Sequence, residues 1–243
     1  MHHFGHGFLV ENELFWGGLG KAQEKLSLSL WVKLCREANV ILDIGANTGM
    51  YSLIAKTVNP RAQVFAFEPI SRVYEKLTAN VVLNDFDIKC FKVGVSDKDG
   101  TAMIHDLPDS HVYSVTIGGS IHGPDVETFP TAIATMRLDT MIEREQLDHI
   151  DLVKIDVETH EPEVMRGFGR YLDLFRPTIL IEILNDEIGA QIEELVKGKG
   201  YLYFNIDDKN NSCRRSENIV KSDYYNYLLC EEKTARTLDL LGN

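Results

Sequence analysis

The sequence predicts a doubly wound α/β domain on a mostly parallel seven-stranded sheet, preceded by a helical N-terminal extension over 1–39. Three observations predict it. From Val40 onward, short apolar runs alternate with amphipathic segments. The strand-like runs are nearly continuous in apolar residues, as strands covered on both faces are. The first of them ends on a glycine turn that leads straight into a helix, "ILDIGANTGMYSL".

In the extension, "AQEKLSLSLWVKLCREA" sets Leu26, Leu30, Trp31 and Leu34 near one helical face. "LFWGGLG", with Trp16, reads as a core anchor for it. Val40–Ile44 is a strand and Thr48–Thr57 a helix. "QVFAFE" is a second strand, followed by the helix "SRVYEKLTANVVLN", where Asn80 and Asn84 read as helix-end residues. "IKCFKVGV" is a third strand. Over 94–135 the pattern breaks. "VSDKDGTAMIH" carries the Asp-Gly signature of a tight hairpin, and the Gly-, Ser- and His-rich stretch after it reads as a substrate lid. Alternation resumes with "TAIATMRLDTMIEREQ", a strand running into a helix. Then come the strand "IDLVKIDVE", a helix with Pro162 in its first turn, and the strand "PTILIEIL". A helix over 187–199 and a final pair, "YLYFNI" and "YYNYLLC", complete 40–243 as one domain.

Composition bounds the function. The chain has 243 residues, 44% of them hydrophobic and 26% charged, an ordinary globular balance. No run approaches the ~20 apolar residues of a membrane helix, and "MHHFGHGFLVENELFWGG" lacks the layout of a secretory signal. Cys35, Cys90, Cys213 and Cys230 are scattered, so free thiols in a cytoplasmic protein are expected. His2, His3 and His6 are assigned no role. The net charge of −12 repels nucleic acid, and the short "CRR" cluster at Cys213 is no basic patch.

In an open parallel sheet, ligands sit beyond the carboxyl ends of the strands where strand order reverses. Gly45 and Gly49 let the backbone turn and approach a ligand, and the following helix offers N–H groups to an anion. A phosphate loop needs a lysine and a hydroxyl residue after its last glycine, where Met50 and Tyr51 stand. A dinucleotide fingerprint needs a glycine at Asn47, and Asp43 would oppose a pyrophosphate. S-adenosylmethionine has no phosphate, and its ammonium and sulfonium suit an acid. Glu68 ends the second strand, where a carboxylate accepts both hydroxyls of a ribose, and Pro69 stops the strand.

These segments carry a resemblance. "VILDIGANTGMYSLIAK", "VFAFEPISRVYEKLTANV", "VSDKDG", "MRLDTMIE" and "DLVKIDVETHEPEVMRG", in that order, resemble the FkbM-type methyltransferases over roughly 40–183. The resemblance implies class I methyltransferase topology, S-adenosylmethionine as donor, and a hydroxyl on a sugar, glycan or natural product as acceptor. It implies that Asp43, Gly45, Ala46, Asn47, Thr48 and Gly49 flank the methionine, and that Glu68 holds the ribose. It sets Gly94, Val95 and Ser96 near the adenine and Asp156 beside the transfer site. Where the family has an acid-Gly pair after "KIDV", this chain has Glu158, Thr159 and His160.

A hydroxyl acceptor must be aligned and must lose its proton. Lys154, Asp156 and Glu158 alternate along a strand and its exit, so period two sets them on one face. Asp156 is expected to orient donor or acceptor, with Glu158 or Lys154 helping to remove the proton. A salt bridge of Lys154 with a carboxylate is the structural alternative. Tyr51 reads equally as a cofactor stacker or as packing. Magnesium on Asp156, Glu158, Glu182 and Asn185 is the second choice to a metal-free reaction. The alternatives in function are an NAD-linked oxidoreductase and a non-catalytic partner subunit.

Overall fold

A computed structural model describes residues 24–106 and 129–241, together with Gly18. The extension contributes helix α1 (Lys25–Cys35). It buries Leu28, Leu30, Trp31 and Cys35 against the sheet, with Leu26 and Leu34 half-buried beside them. Trp16 and the N-terminal histidines lie outside the described residues.

The parallel half of the sheet starts with β1 (Val40–Ile44), α2 (Met50–Val58), β2 (Gln63–Phe67), α3 (Ser71–Leu83) and β3 (Ile88–Phe91). The chain then crosses back to β7 (Leu152–Ile155) and continues outward through β8 (Thr178–Glu182). Three strands close the far edge: β9 (Leu202–Asp207), β10 (Ser212–Ser216) and β11 (Asn226–Cys230). The order across the sheet is β10-β9-β11-β8-β7-β1-β2-β3. Strand order therefore reverses between β1 and β7.

This sheet has eight strands, not seven. The extra one is β10, "SCRRS", an edge strand paired antiparallel with β9. It is polar and at most half-buried, so no hydrophobic period marks it. The expected final pair does form, with β11 antiparallel to β9. β11 also inserts against β8, so the sheet core is completed by a strand running the opposite way.

Alternation sorts the side chains to two faces. Leu42, Ile44, Phe67, Val153, Ile155 and Ile181 face one cluster, shared with α4 (Leu138–Glu145), α5 (Glu161–Gly167) and α7 (Asp186–Val196). Ile41, Val64, Leu152, Leu180 and Leu228 face the other, with α1 and α2. Two further helices, α6 (Tyr171–Phe175) and α8 (Glu232–Thr237), lie on the edges of this framework. None of the described helices is long and apolar enough to cross a membrane. All four cysteines are free thiols.

A second, three-stranded sheet has the order β4-β6-β5, from β4 (Gly94–Val95), β5 (Gly100–Asp106) and β6 (Phe129–Met136). The hairpin expected at Asp99-Gly100 does not join neighbours, because β4 and β5 flank β6 on opposite sides. Asp99 instead accepts bonds from Arg137 N at 2.9 Å and the Thr140 hydroxyl at 2.7 Å. The antiparallel pair is β5 with β6, and the lid stretch between them lies outside the described residues.

Candidate active site

The strand-order switch is a backbone contact. A Cβ placed on Gly45 would lie 1.8 Å from the carbonyl oxygen of Asp156, so only glycine lets the turn after β1 pass the end of β7. Gly45 also has φ +77°, and Asn47 and Gly49 follow at +52° and +94°. A Cβ on Gly49 would meet Leu77 of α3 at 2.6 Å. The turn is tied to β2 by Gly45 N and Ala46 N, which both donate to Phe67 O. Thr48 O accepts from Asn80 Nδ2 at 2.9 Å.

Asn80 is thus no helix-end residue. It is fully buried on α3 and fastens that helix to the turn. Its spacing from Val73 and Leu77 sets it on the core-facing stripe, the signal by which its role was legible.

Asp43 is held inside the fold through one of its oxygens. It is 1% exposed, and its Oδ2 accepts from Ser52 N at 2.8 Å and Ser52 Oγ at 2.5 Å. It therefore holds the first turn of α2, and one of the helix N–H groups expected to meet an anion is used internally. Burial raises its carboxyl to about 6, against the lowering effect of the Ser52 bonds and of Lys154.

Glu68 stands beyond β2 with 6% exposure. Its Oε1 accepts from Ile70 N at 2.9 Å and its Oε2 from Asn47 N at 3.1 Å. Burial pushes the carboxyl up to about 7, while those bonds and Arg72 pull it down. Each oxygen keeps a lone pair for another donor, and half-buried Pro69 ends the strand beside it. Anchored acceptors at the end of the strand next to a glycine turn suit a ribose. Gly94 and Val95 are buried in β4 and Ser96 is 7% exposed. The Ser96 hydroxyl lies 3.0 Å from His160 Nε2, and burial lowers the His160 pKa.

Tyr51 is packing, not an open stacking surface. It is buried edge-on to Trp31 at 5.3 Å, its hydroxyl donates to Glu24 at 3.2 Å, and the Lys154 ammonium lies 4.9 Å from its ring centre.

Lys154 is 1% exposed and donates to Asp156 Oδ2 at 2.8 Å. Burial alone would lower its pKa, but Asp156 and Glu24 raise it, so it stays cationic and is no proton acceptor. The period-two argument breaks after Asp156, where Glu158 and Thr159 take φ of +52° and +80°. The turn still returns Glu158 to the group, because one oxygen from each of Asp156, Glu158 and Glu182 lies within 4.8 Å of the others. Burial, then Asp156, pushes the Glu182 carboxyl up to about 9. Asn185 does not join them: its Oδ1 caps α7 by accepting from Ile188 N at 2.9 Å. In its place Asn226 lies opposite Glu182 on β11.

These acids line a cavity of about 550 Å³, with Glu24, Met50, Asp208 and Tyr224 also in its wall. Glu24, Asp208 and Asn226 are site residues that local sequence patterns do not reveal, since they come from three distant elements.

The chain is similar to known proteins. Residues 43–203 match the family model described as Methyltransferase FkbM domain. The methyltransferase sdnD of Sordaria araneosa is 29% identical over 188 residues, 66% of this chain and 73% of that protein. The 2-O-methyltransferase NoeI of Sinorhizobium fredii is 31% identical over 138 residues, 53% of this chain and 56% of that one. The 31-O-demethyl-FK506 methyltransferase FkbM of Streptomyces tacrolimicus is 27% identical over 192 residues, 68% of this chain and 74% of that one. The crystal structure of a methyltransferase FkbM from Methylobacillus flagellatus matches the fold with a TM-score of 0.53 at 13% identity. That match covers 79% of this chain and 43% of the other. The matched segment takes in the end of β1, the glycine turn, Glu68, and Lys154 and Asp156, and on that extent the chain belongs to the FkbM methyltransferase family.

Proposed function

We propose that the protein is an S-adenosylmethionine-dependent O-methyltransferase whose acceptor is a hydroxyl of a sugar, glycan or natural product. The observation that carries the reading is Glu68. It is a buried carboxylate with both oxygens anchored by backbone N–H groups, one of them from the glycine turn itself. That donor set fits a ribose with no phosphate beside it. Relatives named as 2-O- and 31-O-methyltransferases support an oxygen acceptor.

When bound, the donor supplies a methyl group on a cationic sulfur that leaves as a neutral thioether. The chain's residues do the rest. Glu68 holds the nucleoside, and the turn over Gly45–Gly49 sets its distance from the end of β7. Lys154 fixes the Asp156 carboxylate, which orients the acceptor hydroxyl toward the methyl group. Glu158 takes the hydroxyl proton as the new carbon–oxygen bond forms. Alignment of this kind is worth about 7–11 kcal/mol of the barrier. The cavity wall, rich in acids, favours a neutral or cationic small molecule over nucleic acid.

Calorimetric titration with S-adenosylhomocysteine and with NAD tests the reading. Binding of the first and not the second is expected. Binding of NAD alone overturns it. Transfer of a labelled methyl group to a panel of hydroxylated sugars then identifies the acceptor.

A further inference from the structure

Acids at strand ends are common, so the convergence of Asp156, Glu158 and Glu182 decides nothing by itself. The deciding residue is Asn226. It opens β11 directly across from Glu182, and opposite residues of an antiparallel pair project from the same face. Its side chain is 7% exposed. The amide nitrogen donates to Glu24 Oε1 at 2.8 Å. The amide oxygen is buried and has no donor among the described residues, and the residue itself stands in the wall of the cavity that the three carboxylates line. A buried acceptor left unmatched costs about 1–3 kcal/mol. No described donor reaches it, and a cation would satisfy it.

Two other acids of the wall are engaged: Glu24 accepts from Asn226 and Tyr51, and Asp208 accepts from Leu26 N, Ser27 N and the Ser27 hydroxyl. Lys154 occupies one oxygen of Asp156 and leaves the other. A mutual separation within 4.8 Å suits ligands around a hard ion with bonds of roughly 2.0–2.6 Å.

We propose that Asp156, Glu158, Glu182 and Asn226 bind a divalent cation of the magnesium class, through one carboxylate oxygen from each acid and the Asn226 amide oxygen. Four protein ligands leave about two positions of an octahedral shell. Those positions open on the cavity and take two neighbouring oxygens of the acceptor, which defines its class as a chelating one, such as a vicinal diol. The cation acidifies the bound hydroxyl. Its proton passes to the second Glu158 oxygen as the carbon–oxygen bond forms. Asn226 lies beyond the segment that matches the family model, so this ligand is a property of the chain's own C-terminal strands. The acceptor class rests on the methyl-transfer reading; the cation site does not.

Manganese is the probe, titrated into the full chain and followed by electron paramagnetic resonance without donor or acceptor. One site is expected, emptied by excess magnesium. Asp156→Asn and Glu182→Gln should each weaken it at least tenfold, and Asn226→Leu severalfold. Glu232→Gln, a change on exposed α8, should leave it intact. Circular dichroism and S-adenosylhomocysteine binding on the same samples separate a lost site from a lost fold. Absence of binding at millimolar manganese, or full binding by the folded Asp156→Asn and Glu182→Gln variants, overturns the proposal. In the unaltered protein, S-adenosylhomocysteine binding without manganese binding rejects the cation alone. The reverse pattern in the unaltered protein supports the cation and rejects the methyl-transfer reading.

Discussion

Lys154 reaches Asp156 across 2.8 Å from a strand position with 1% exposure, two residues before that acid. On the neighbouring strand its Cα partner is Asp43, so one buried ammonium serves the acid before the glycine turn and the acid beyond β7. Replacing it should disturb both. Lys154→Met is expected to lower stability by about 1–3 kcal/mol, below the usual cost of breaking a buried pair because Asp156 is a third exposed. Urea unfolding measures it, and an unchanged midpoint would show that the pair contributes nothing.

Gly45→Ala should prevent folding or cost at least about 3 kcal/mol, through positive φ and a clash with the Asp156 carbonyl. Soluble, stable Gly45→Ala protein would mean that β1 and β7 are spaced differently.

The Glu68 carboxyl, raised to about 7, ties cofactor affinity to pH. Ribose hydroxyls donate to the ionised form, so binding releases a proton wherever Glu68 is protonated. Affinity for S-adenosylhomocysteine should be flat above pH 7 and fall about tenfold per unit below it. Glu68→Gln should bind about 10- to 100-fold more weakly and lose this slope. Titrations at pH 6 and 8 check both.

Asp156→Asn should keep S-adenosylhomocysteine binding and lose methyl transfer by about a hundredfold or more. Single-turnover kinetics with a labelled donor read the loss directly. Near-normal turnover would remove Asp156 from the reaction.

Asn80→Leu should cost about 1–3 kcal/mol, because it leaves the Thr48 carbonyl without its donor. It should also loosen the turn, seen as weaker S-adenosylhomocysteine binding by the folded fraction. Unchanged binding would show that the turn holds its shape without α3.

What was legible in the sequence follows from what is local. The parallel half of the sheet was readable because each strand is a continuous apolar run, and Glu68 because it ends one. Lys154 and Asp156 could be set on one face by counting. An acid before a glycine turn reads alike whether it faces a ligand or caps a helix, and the Ser52 bonds to Asp43 Oδ2 could not be read from it. Asn185 misled for the same reason, as capping and ligation use the same side chain. β10 has no apolar period to find. The pairing of Asn226 with Glu182 depends on β11 inserting in reverse between β8 and β9, a long-range choice that no local pattern encodes.

That reversed insertion divides the molecule's labour by chain position. The glycine turn and Glu68 lie before residue 100, while about half of the wall of the acid-lined cavity comes from 206–226. The two can therefore diverge separately. Randomising the late segment should yield enzymes with new acceptor preferences and an unaltered grip on the donor, a practical starting library for re-targeting this scaffold.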